Sequence, residues 1–148
     1  MRYVLALGCL LACGCSHQSA VVGKWATADN WTYNFNRDST FTFDTGAKQS
    51  PFLKPQEAEK ERLKEDGTYK FDGNSLTLHV NKITNGLDKP LKRLLTWQRY
   101  SFVPDGDVAT VALLASDFVS PQREAERKAL AERGPDYEYW VRTPLGSH

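Results

Sequence analysis

Large apolar and polar side chains alternate in short bursts along this chain. In Trp31-Thr-Tyr33-Asn-Phe35 the rings fall on every second residue, and Phe41-Thr-Phe43 keeps the same beat. A period of two sends alternate side chains to opposite faces of an extended strand. The rings therefore share a buried face while Thr and Asn meet water. The polar stretch Asn36-Arg37-Asp38-Ser39 between the two bursts is a turn, so the pair reads as a hairpin. The phrase returns twice. Tyr69-Lys-Phe71 leads into Asp72-Gly73-Asn74-Ser75, after which Leu76, Leu78 and Val80 point back to the same side. Tyr100-Ser-Phe102 leads into Pro104-Asp105-Gly106-Asp107 and then into VATVALLA. That last run is apolar on both faces, so its outer side is expected to be covered.

Tyr137-Glu-Tyr139-Trp-Val141 makes a closing strand, with Tyr139 and Val141 read as inward and Glu138, Trp140 and Arg142 of the opposite parity. Around Leu94 to Phe102, Trp97 and Tyr100 differ in parity, which requires either a bulge or two covered faces. With the segment around Trp25, the count is about eight strands joined mostly as neighbours. Closing such a meander removes its exposed edges. The expected fold is all-β: an antiparallel up-and-down barrel of about eight strands whose interior the Tyr-x-Phe phrases line.

Two charged stretches, KPQEAEKERLKEDG and SPQREAERKALAERG, interrupt this pattern and predict short helical inserts near 55–65 and 121–133. Pro55 and Pro121 suit a first helical turn, Ser120 an N-cap and Gly134 a stop. Their apolar content is thin, Ala58 and Leu63 in one and Ala125, Ala129 and Leu130 in the other. They read as solvated helices or as covers over one mouth of the barrel. Glu57, Glu59, Glu61, Glu65 and Asp66 are taken as solvated carboxylates of the first insert.

The cysteines change the picture. Cys9, Cys13 and Cys15 all fall at the start, so nothing beyond Ser16 can form a disulfide or supply a thiolate. Arg2 followed by the apolar run Tyr3 to Leu11 has a signal-peptide layout, and the run is too short to cross about 30 Å of hydrocarbon. Leu10-Leu11-Ala12-Cys13 resembles the bacterial lipobox, with Cys13 as the lipidated residue and Cys15 as the alternative. The implied division is a signal peptide over 1–12, a lipidated tether over 13–20 and a barrel domain over 21–148. Neither cysteine has Asp at the second position after it, which by resemblance to Gram-negative sorting implies a lipid anchor in the outer membrane of the cell envelope. Without Arg2, the 19 basic residues fall to equality with the 18 acidic ones. A neutral chain offers no footprint for nucleic acid and no polybasic membrane patch.

Gly23-Lys24-Trp25, YNFNRDSTFTF and Gly67-Thr68-Tyr69 with YKFDGNSLTLH resemble the short lipocalin-like domains of bacterial lipoproteins. The resemblance implies that Trp25 packs at the closed end of the barrel and that an arginine of the last strand, Arg142, lies over it. Given its parity, Arg142 would leave the strand's outer side or its end and cap the barrel from below. Ser39-Thr40 stands where the pattern usually has Gly-Thr, so that turn manages without glycine. No nucleophile elbow, zinc-protease helix, Walker loop or dinucleotide fingerprint occurs, and His79 is expected to point outward. No catalytic residue, metal or cofactor is called for. Two readings follow. In one, the barrel is a non-enzymatic binding module holding a small apolar or amphipathic ligand against Trp31, Tyr33, Phe35, Tyr69, Phe71, Tyr100 and Phe102. In the other, a cavity-less barrel serves as an envelope protein-interaction or inhibitor module, with a protein partner the sequence does not name.

Overall fold

The computed structural model describes residues 18–92, 96–117, 125, 128, 129, 132, 134 and 136–144. Eight strands carry the chain: β1 (Gly23–Ala26), β2 (Thr32–Phe35), β3 (Thr40–Asp44), β4 (Leu63–Asp72), β5 (Ser75–Asn85), β6 (Trp97–Asp105), β7 (Val108–Ser116) and β8 (Tyr137–Thr143). Each pairs antiparallel with its neighbour in sequence, and β8 returns to β1 to close the barrel. A short 3-10 turn, Gln18–Ala20, precedes β1, and the helix α1 (Pro55–Glu61) lies between β3 and β4. Gln18 donates to Ser39 Oγ at 2.6 Å, so the 3-10 turn sits at the end of the barrel that carries the β2–β3 turn. We call this the near end and the end with α1 the far end.

The period-two pattern becomes the core directly. Tyr33 and Phe35, Phe41 and Phe43, Tyr69, Leu76 and Leu78, Tyr100 and Phe102 all point inward and are buried. Trp25, Phe35, Phe41, Leu76, Leu78, Phe102, Val111 and Trp140 are sealed from water. Each such side chain contributes about 1.5–3 kcal/mol on burial. The glycine-free turn is solved locally. Ser39 takes φ 69°, and Asp38 accepts hydrogen bonds from the Thr40 backbone and hydroxyl at 3.0 and 2.6 Å.

Four expectations change. The first helix ends at Glu61 rather than near 65. Arg62 is already extended, its guanidinium bonded to Asp44 at 2.8 and 2.5 Å. Leu63 and Thr45 exchange hydrogen bonds at 2.9 and 3.0 Å. Sheet pairing thus claims Leu63 onward, and Gly67 lies inside β4. Glu65, read as a solvated helix carboxylate, consequently points into the barrel and is 4% exposed.

β8 has the opposite face to the one expected. Trp140 is 1% exposed, whereas Tyr137, Tyr139 and Val141 are 62%, 66% and 48% exposed. Directly paired residues of antiparallel strands share a face. Arg142 pairs with Trp25, so both point inward and Trp140 and Glu138 follow. The ladder also shifts where Trp97 and Tyr100 disagreed, between Arg99 and Tyr100, but the extra residue is Leu114 on β7. β6 itself keeps a strict period of two, with Gln98, Tyr100 and Phe102 inward and Trp97 outward. Most of the second insert lies outside the described residues; of it, Ala125, Lys128, Ala129 and Glu132 are helical.

Candidate functional site

The rings expected to hold a ligand hold one another. Tyr33 stacks on Trp140 with centroids 4.6 Å apart and planes 10° apart, and on Phe35 at 5.8 Å. Phe35 meets Tyr69 edge-on at 5.0 Å, and Phe102 meets Trp25 at 5.2 Å, Phe71 at 5.9 Å and Trp140 at 6.0 Å. Tyr100 closes the set against Trp140 at 5.7 Å. Tyr33, Phe35, Tyr69, Tyr100 and Phe102 are thus brought together in one packed cluster, with Phe71 at its margin. Trp31 is not part of it. It precedes β2, is 41% exposed and its ring meets the edge of Phe43 at 5.8 Å. The inward parity begins only inside β2, which starts at Thr32, so the Trp31 indole stays outside.

The far half of the interior is polar. Gln98 and Ser116 face each other across β6 and β7 and are both buried. Tyr100 donates its hydroxyl to Gln98 Oε1, and its oxygen lies 3.5 Å from that of Tyr33. Trp140 Nε1 donates to Glu138 Oε1. Glu65 sits in register between Phe43 and Ile83 on the same inner surface. Burial first, then Tyr100 and the charges of Glu65 and Glu138, push the Tyr33 phenol well above its ordinary value. The phenol can both give and receive hydrogen bonds. Sequence reading missed Glu65 because its charged stretch reads as helix, and Glu138 because a charged side chain in a strand is by default assigned to the water face. The legible signal was pairing: Glu65 shares parity with Tyr69 and Phe71.

The near end is closed. Trp25 donates Nε1 to Val21 O at 2.8 Å. Arg142 Cζ stands 4.7 Å from the centroid of the Trp25 ring, and Arg142 Nη2 donates to Ala20 O at 2.8 Å. One guanidinium therefore ties the last strand, the first strand and the 3-10 turn. Outside this plug lies a cleft of about 780 Å³ lined by Lys24, Arg37, Asp107, Arg142, Gln18 and Thr143 among others. It is a surface feature, not a continuation of the interior. Among the described residues no three His, Cys, Asp or Glu side chains gather to hold a metal ion, and no helix is long and apolar enough to cross a membrane. Cys13 and Cys15 lie outside the described residues. No family model, curated protein or solved structure matches the chain significantly.

Proposed function

We propose that this chain is a lipid-anchored lipoprotein of the bacterial envelope with a lipocalin-like barrel, and that the barrel is a packed scaffold working through its surface as a non-enzymatic protein-interaction or inhibitor module. The filled interior carries this reading. The rings that would have walled a ligand cup are already in contact, edge-on or stacked, and most are under 6% exposed. Admitting a ligand there means separating them, and emptying one aromatic site costs ~3–5 kcal/mol. A drug-sized ligand needs about 300 Å³ or more, which is more than one ring. The lipid anchor rests on Leu10-Leu11-Ala12-Cys13 behind its apolar run.

A second reading, a small amphipathic ligand, draws on one observation. Tyr33, Tyr100, Gln98 and Glu138 gather polar atoms inside the far half of the barrel, where a head group could be met. Native mass spectrometry of protein purified from its own envelope separates the two. The packed-scaffold reading expects the mass of the acylated mature chain alone. A stoichiometric small-molecule adduct that is released on denaturation would overturn it in favour of the ligand.

A further inference from the structure

Outward charges gather on β4 and β5 and continue onto β6 at Arg99. On β4 and β5, Lys64, Asp66, Lys70, Asp72 and Lys82 all take outward positions. The wall across the barrel, β7, β8 and β1, has none of this. The charged residues of β7 and β8 are Glu138 and Arg142, and both face inward onto Trp140 and Trp25. Lys24, at the near end, is the one outward charge on β1. What the wall shows instead is Tyr137, Tyr139 and Val141 of β8, 62%, 66% and 48% exposed, with Val108 of β7 and Val103 of β6 at 40% and 43%. The register makes these one patch. Val108 lies opposite Val141, Thr110 lies opposite Tyr139 on one side and Val103 on the other, and Ala26 lies opposite Val141. A patch of adjacent exposed apolar side chains on an otherwise charged barrel marks a contact face.

The geometry points to a lipid surface as its occupant: we propose that the β7–β8 wall rests on the head-group layer of the membrane that holds the chain's own anchor. The inference rests on the lipid-anchor part of the proposed function. Three observations select lipid over a protein partner or a second copy. The first is reach. Cys13 precedes Gln18 by five residues, an extended span of about 17 Å. Gln18–Ala20 is joined to β8 itself, through Arg142 and Ala20 O at 2.8 Å. The tether leaves the near mouth at Gln18, which bonds Ser39 of the β2–β3 turn at 2.6 Å, so the near end of the barrel, the end of the wall included, cannot stand far from the bilayer. The second is residue chemistry. Tyr has an apolar body and a hydroxyl tip, the combination that settles at head-group depth, and the valines between extend the apolar surface. The third is charge. Lys24 and Arg37 line the cleft at the near mouth together with Arg142 and Asp107, an excess of cation beside the tether's exit, where lipid phosphates would lie.

The test uses the full chain processed and acylated in cells, with whichever of Cys13 and Cys15 carries no acyl group replaced by Ser. A nitroxide label is placed at Tyr139→Cys on the wall or at Lys70→Cys on the opposite, charged side. The protein is reconstituted into vesicles of phosphatidylethanolamine and phosphatidylglycerol. Acyl mass and co-flotation with the vesicles are recorded first, then collision of each label with oxygen, which concentrates in lipid, and with a nickel chelate, which stays in water. The expected result is an oxygen-to-nickel ratio clearly higher at 139 than at 70. Equal, nickel-dominated accessibility at both positions in an acylated, floating protein overturns the wall inference and leaves the anchor standing. A label at 139 shielded from both reagents overturns it in favour of a protein or second-copy contact. Absence of the acyl mass and of flotation removes the anchor itself, and the inference with it.

Discussion

Replacing Arg142 by Ala is the sharpest perturbation of the near-end plug. The guanidinium lies 4.7 Å from the centroid of a fully buried Trp25, a contact worth about 0.5–2 kcal/mol. Its Nη2 also satisfies Ala20 O at 2.8 Å, and a hydrogen bond from a charged donor contributes ~1.5–3 kcal/mol. The nearby Asp107 carboxylate adds little. It is 4.0 Å from Nε and 82% exposed, a setting in which ion pairs give about 0–1 kcal/mol. One term opposes these. Nε is buried without a hydrogen-bond partner, a penalty of ~1–3 kcal/mol that the Ala variant escapes. The balance is a loss of about 2 kcal/mol. For a barrel of this size that lowers Tm by roughly 6–10 °C, read by thermal unfolding in far-UV circular dichroism, with Trp25 emission as a local reporter. Arg142→Lys keeps the charge but cannot stack on Trp25 and reach Ala20 O at once, so about half the loss is expected. An Arg142→Ala protein within ~0.5 kcal/mol of the parent, the range of an ordinary surface change, would refute the plug.

Gly67→Ala tests the β4–β5 register: a Cβ there would stand 1.9 Å from the His79 carbonyl oxygen and 2.7 Å from Phe41 Cε1, so urea unfolding is expected to show a loss of at least ~3 kcal/mol, and a neutral variant would contradict the pairing. Asp44 tests acid stability. Hydrogen bonds from Arg62 hold its carboxyl below the ordinary carboxylate range, against an upward pull from burial. Its contribution is therefore complete above the unfolded value near ~3.9 and lost as pH falls through the lower folded one. The gap between parent and Asp44→Asn, ~1–2 kcal/mol at neutral pH for a bidentate pair, is expected to close toward pH ~2, and a gap independent of pH rejects the pairing. Cys13→Ser is expected to abolish acyl labelling and release the chain in soluble form. If only Cys15→Ser does so the anchor is Cys15, and if neither does the lipoprotein reading fails.

The barrel was legible because its signal is short-range. A ring on every second residue at Tyr33, Phe35, Phe41 and Phe43 has one inexpensive solution, and turns follow each burst. The pairing of the first and last strands followed from closure alone. What escaped was set by partners distant in sequence. Glu65 sits on a stretch rich in helix formers, yet Asp44, Thr45 and Ile83 pull that stretch into the sheet. In β8 the alternation of Tyr137, Tyr139 and Val141 against Glu138 and Arg142 suggested the wrong inner face. The register with Trp25 overrules it: Arg142 lies opposite the buried Trp25, and Trp140 and Glu138 share its face. The extra residue at Leu114 left no mark in a run of Ala, Val and Leu. For the site, the rings were found in sequence but their mutual contacts were not, since whether rings face a ligand or each other depends on the diameter of the barrel they line.

The filled interior is tested most directly by methyl-resolved NMR of the mature domain titrated with a medium-chain fatty acid and with a lysophospholipid. Leu76, Leu78 and Val111 are buried to 0%, 1% and 0% exposure among the stacked rings and report on any entry. The account predicts that their resonances stay fixed through saturating amphipath, with shifts confined to outward methyls such as Val108 and Val141. Saturable shifts at Leu76, Leu78 and Val111, with separation of the Tyr33–Trp140 stack, would contradict it.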